Sequence, residues 1–162
     1  MNQYFSSAAL HEISENVSRS LTNTFQMMFQ LDLSLLPHTQ DNGDGQLICS
    51  YMDLSYKKAR ARLSLAISKV SVESIAHNME PDVTPPSPEI VQDIVCEVTN
   101  IVGNHLRSYI SDKMGFMMDI SLPHPGLPPA DADDTSVINL FFRIMENDSV
   151  KLGLSYGTQL PA

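Results

Sequence analysis

Apolar residues recur at helical spacing through residues 6–30, at Ala9, Leu10, Ile13, Val17, Leu21 and Met28, with no Pro or Gly between them. That spacing predicts an amphipathic helix, with Ser6 and Ser7 as N-cap candidates. Residues 31–36 alternate at first and stop at Pro37, which predicts a short strand. Two more strands are expected over 46–54 and 60–68. Ala61, Leu63, Leu65 and Ile67 alternate there with Arg60, Arg62, Ser64 and Ala66, and Lys57-Lys58 form the turn. A short helix fits 70–79. Pro81, Pro85, Pro86 and Pro88 make 80–88 a connector. A second long helix opens near Ser87, with Pro88 at its first position, and runs through Lys113 until Gly115. A strand over 116–122 meets Pro123. Residues 123–134 form a loop of four prolines and three aspartates. Strands over 136–145 and 150–157 close the pattern, with Asn147 and Asp148 turning between them.

The two halves repeat. Each reads long helix, strand ending in Leu-Pro-His, then a hairpin. The first copy carries Leu36-Pro37-His38 and the second Leu122-Pro123-His124. The repeat is roughly 85 residues long, too long for a solenoid and suited to an internal duplication. The expected fold is α/β (α+β), a single domain with pseudo-repeats over 6–68 and 88–157. Its one roughly six-stranded sheet carries both long helices on a face.

Composition narrows the function. The chain has 162 residues, 10 Lys+Arg against 19 Asp+Glu, and a net charge of −9. That balance disfavours nucleic acid and anionic membranes as partners. No apolar run approaches the roughly 20 residues of a membrane span, so no membrane insertion is expected. Residues 1–5 lack the basic-then-apolar pattern of a secretory signal, which points to the cytoplasm. Cys49 and Cys96 form no C-x-x-C pair and are expected as reduced core thiols, with no zinc site. The turn 41–45 faintly resembles a calcium loop, but Gly43 occupies its third position and no acidic residue closes it. No histidine pair has metal-ligand spacing, so no metal site is expected.

On a helical wheel, Val91, Ile94, Val95, Val98, Ile101, Val102, Leu106 and Tyr109 make the core stripe of the second long helix. Asp93, Glu97, Asn100 and Asn104 fall on the opposite side. Glu97 and Asn100 are three apart and therefore neighbours. A solvated face is the ordinary reading of such a run.

The segment Glu97-Val98-Thr99-Asn100-Ile101-Val102-Gly103-Asn104 resembles the signature of the CheX/CheC/FliY chemotaxis phosphatases. The match includes the downstream strand ending at Pro123 and the duplicated layout, and it is nearer CheX than CheC. The resemblance implies a phosphatase acting on the aspartyl phosphate of a CheY-like receiver, with Glu97 and Asn100 catalytic. A carboxamide can orient a water as donor and acceptor, which suits Asn100. Glu97 would pair with the receiver's lysine at the docking interface. Asp93, Gly103 and Asn104 would help dock the partner. The protein would need no cofactor of its own, because the receiver supplies Mg2+. A homodimer through joined sheet edges is implied too. The rival reading is a non-catalytic adaptor that docks a receiver or a flagellar-switch component.

The first helix offers Glu12 and Glu15 at the equivalent places, with Asn16 one position off. A carboxylate in place of the amide would repel phosphoryl oxygens, so this second site is expected to be degenerate. Arg19 is placed to pair with Glu15. Gly103 would serve either close receiver approach or a close crossing of the two long helices. His105 falls on the apolar side and is expected as a core histidine with a partner. Met27-Met28 and Met117-Met118 are core filler or a partner surface.

Overall fold

The computed structural model describes residues 6–37, 45–130, 136–144 and 148–157. Helix α1 spans Ser7–Phe29, capped by Ser6, whose hydroxyl accepts from Ala9 N. It buries Ile13, Val17, Leu21 and Phe25. Met28 and Met27, by contrast, lie on its outer side. Gln30 turns into the left-handed region (φ 55°), and the Gln30 and Leu31 amides bond back to helix carbonyls. The next strand, β1, therefore shrinks to Leu33–Leu35, because its first residues are still closing the helix.

Strands β2 (Leu47–Tyr56) and β3 (Ala59–Ser68) form the first hairpin around Lys57 and Lys58. Helix α2 (Lys69–Met79) follows, then the proline connector. Helix α3 runs Pro88–Met114 between Ser87 and a left-handed Gly115 (φ 71°). The expected strand over 116–122 is replaced by two short ones, β4 (Asp119–Ile120) and β5 (His124–Pro125), both pairing with β2. Between them the Ser121 hydroxyl, in place of a backbone carbonyl, accepts from Asp53 N at 2.9 Å. Pro123 has no N–H to donate, so the ladder breaks there. The last hairpin is β6 (Ser136–Ile144) and β7 (Asp148–Gly157). Asp148, expected in the turn, instead pairs with Ile144. Residues 38–44, 131–135 and 145–147 lie outside the described residues. They hold His38, Met145, Asn147, most of the 41–45 turn and the acidic end of the proline loop.

The strand order β1-β6-β7-β3-β2-β4 reads the same from either end once the halves are matched. Each half gives its hairpin to the middle and its short strand to the other half's hairpin. The halves meet where β3 pairs with β7, with Ser64 opposite Gly153. The duplication is thus built into the hydrogen bonding. Helix–helix contacts obey the same two-fold. Ser20 Oγ lies 2.8 Å from His105 Nδ1, and these two residues are equivalents in the repeat. Glu12 meets Tyr109 while Ser20 meets His105, so α1 and α3 run antiparallel.

One core lies between the helices and one face of the sheet, filled by residues such as Leu21, Val98, Leu106, Leu54, Leu63 and Leu152. The alternation of β3 decides which face that is. On the other face Arg62 is only 8% exposed and pairs with Asp53 directly across the strands, Nε to Oδ1 at 2.6 Å. No described helix is long and apolar enough to cross a membrane. Leu21 and Leu106 are equivalent and both fully buried. Leu21→Ala and Leu106→Ala should therefore cost similar amounts, about 2–5 kcal/mol each by urea unfolding.

Candidate functional site

Two requirements set the face of α3. Its apolar stripe of Val91, Ile94, Val95, Val98, Val102, Leu106 and Ile110 must face the sheet. Gly103 sets how closely the helix approaches. A Cβ there would lie 2.8 Å from Met52 Sδ and 3.5 Å from Ile120 Cδ1. Gly103 is thus buried against β2 and β4. The space left by its missing Cβ faces Met52 and Ile120 of the sheet.

Asp93, Glu97 and Asn104 are exposed and Asn100 is half-buried, so these four sequence candidates share one accessible side of α3. Thr99 beside them is fully buried and spends its hydroxyl on the Val95 carbonyl at 2.8 Å. The Asn104 amide bonds to Asn100, and Asn104 is in this respect an intrahelical partner. Among the described residues Glu97 makes no hydrogen bond or ion pair, and no group of three His, Cys, Asp or Glu could hold a metal ion. An exposed carboxylate one turn from a carboxamide can accept from a cation and orient a polar ligand at once.

The equivalent place on α1 differs. Glu12 and Glu15 are exposed, but Tyr109 Oη donates to Glu12 Oε2 at 3.2 Å. Burial, and then the Glu12 charge and hydrogen bond, push the Tyr109 hydroxyl pKa up. Glu15 pairs with His11 (3.4 Å) and no pair with Arg19 forms among the described residues. Asn16 turns its Oδ1 into a buried position without a hydrogen-bond partner, away from the face where it would be needed. By the two-fold, Tyr109 corresponds to Thr24. Thr24 is buried and its hydroxyl donates to Ser20 O at 2.7 Å. One carboxylate is therefore capped by a phenol while its counterpart, Glu97, stands open. Sequence reasoning missed this cap. The only signal was a tyrosine aligned with a threonine in the repeat.

Three smaller expectations change. His105 is exposed, although it does have the Ser20 partner. Ile101 and Tyr109, expected in the core stripe, are half-buried at its borders. Cys49 and Cys96 are also half-buried, where core positions were expected. Cys49 sits on the outer sheet face, where burial raises its pKa and Lys151 offsets part of that.

No family model matches the sequence, and no curated protein matches it. Solved structures do match in shape. CheX from Vibrio vulnificus superposes with TM-score 0.73 at 19% identity, over 90% of this chain and 97% of that one. A CheC-like superfamily protein from Shewanella sp. PV-4 gives 0.71 at 19% identity, over 97% and 99%. The CheX–CheY–BeF3–Mg2+ complex from Borrelia burgdorferi gives 0.66 at 12% identity, over 89% and 97%.

Glu97→Ala should leave stability within about 0.5 kcal/mol, since no described contact is lost. Gly103→Val should cost about 1–3 kcal/mol by overpacking Met52, read as a lower urea midpoint. The Cys49 thiol should react with iodoacetamide more slowly than a free cysteine at pH 8. Its rate should go on rising above pH 9, because a raised pKa delays thiolate formation. The chain has the fold of the CheX and CheC-like chemotaxis proteins.

Proposed function

We propose that the protein removes the phosphoryl group from a CheY-like receiver, using Glu97 and Asn100. The observation that carries this reading is the open carboxylate–carboxamide pair on one turn of α3. It is supported by the fold, which a protein found in complex with CheY shares. The chain's net charge of −9 fits a docking site for a cationic group.

The chemistry follows from an acyl phosphate's needs. A water must lie in line behind the phosphorus. Asn100 orients that water without being a strong base. The water oxygen bonds to phosphorus as the bond from phosphorus to the aspartate oxygen breaks. The aspartate leaves as a carboxylate, and the water's proton passes to the departing phosphate or to solvent. Glu97 pairs with the receiver's lysine and sets the angle of docking. The magnesium comes with the receiver, and nothing in the reaction asks this chain for a metal ligand. Catalysis here is positioning, as in other phosphoryl transfers.

The test is the decay of a phosphorylated receiver from the same cell, followed with wild type and two variants. Wild type should accelerate decay. Asn100→Ala should lower kcat about 100-fold, as loss of one transition-state contact does. Glu97→Ala should raise KM about tenfold, as loss of one interfacial ion pair would. Receiver binding without accelerated decay would replace the phosphatase with the adaptor.

A further inference from the structure

The side-chain amide of Asn104 is committed to Asn100. Its Nδ2 donates to the Asn100 main-chain carbonyl at 2.8 Å and to Asn100 Oδ1 at 3.1 Å. A main-chain carbonyl only accepts, so the Asn104 atom facing it is the nitrogen. That nitrogen only donates, so the Asn100 atom facing it is the oxygen. The pair of bonds therefore decides which way round the Asn100 carboxamide stands. Oδ1 lies toward Asn104, one turn along α3, and Nδ2 leaves the same carbon in the other direction. That Nδ2 donates to no described protein group. Asn104 is exposed while Asn100 is half-buried.

We infer that Asn104 is a positioning residue that presets the Asn100 carboxamide for phosphoryl chemistry. The inference rests on the phosphatase reading above. With the amide held this way, Nδ2 is presented as a donor to a phosphoryl oxygen. The second lone pair of Oδ1 still accepts from the attacking water. Turned over, the amide would aim oxygen at oxygen and repel the phosphoryl group. The bond from Asn104 also draws charge toward Oδ1, which makes the outward N–H a better donor. Orientation settled before the receiver arrives need not be arranged during the reaction.

Three variants separate positioning from docking. Asn104→Ala removes the donor, and Asn104→Asp keeps the size while placing a carboxylate against Oδ1. Asn104→Gln keeps a donor within reach. kcat and KM for receiver dephosphorylation are measured, together with the 15N order parameter of the Asn100 side-chain amide in the protein alone. The Ala and Asp variants should lower kcat roughly 3- to 10-fold, the worth of one hydrogen bond. Their KM should stay within about twofold, and Gln should restore kcat to within about twofold. The Asn100 amide order parameter should fall in the Ala variant. A raised KM with unchanged kcat would make Asn104 a docking residue and overturn the inference. So would an Asn100 amide signal that Asn104→Ala leaves unmoved. If wild type speeds no receiver's decay, the phosphatase reading fails by itself, and the amide measurement still decides whether Asn104 orients Asn100.

Discussion

The structure depends on the pairing of β3 with β7. Eight residue pairs, from Arg60 opposite Gly157 to Ile67 opposite Val150, join the two halves of the chain at the centre of the sheet. A half alone would hold a helix over one hairpin, with an open edge and too little apolar cover. A two-stranded ribbon is at best marginal in water. Joined, the halves exchange short strands, β1 onto β6 and β4 onto β2, and each hairpin's outer edge is covered in part by the other half. The antiparallel contact of α1 and α3 follows from the same two-fold, because each helix precedes its hairpin in the same way.

That symmetry gives two equivalent helix faces, and their contacts make them unequal. Tyr109 reaches across from α3 and occupies Glu12. The two-fold partner of Tyr109 is Thr24, whose hydroxyl is spent on its own helix. The face of α3 is left open as a result. Duplication supplied two equivalent carboxylates, Glu12 and Glu97, and a difference of side-chain length between the helices left only the second without a described partner. Gly103 contributes from beneath by letting α3 sit close on Met52 and Ile120, which fixes the height of Glu97 and Asn100 over the sheet.

The far side of the sheet shows how a polar group is kept in a mostly covered place. Arg62 holds both Asp53 oxygens, stacks 5.0 Å from the Tyr51 ring and donates to the Pro129 carbonyl. Tyr51 in turn stacks on His124 at 4.9 Å. A charge so little exposed has to be paired, because an unpaired one would cost several kcal/mol. The network also ties the segment after β5 across the outer face. The alternation in β3 marked Arg62 as outward-facing. It gave no sign that the chain would return to cover it.

The periodic apolar positions determined the helices, both hairpins and the duplication, because burying one face of a helix or strand is a local demand that each segment writes into itself. The same periodicity placed Glu97, Asn100 and Asn104 together on one turn, since i, i+3 and i+4 neighbours are fixed by helix geometry. Three things were decided only by the tertiary structure. Gly103 faces Met52 and not α1, Tyr109 caps Glu12, and the Ser121 hydroxyl accepts from Asp53 N between β4 and β5. Each rests on a contact between residues far apart in the chain. Such a contact depends on how two elements meet, and that meeting is set by the whole core at once.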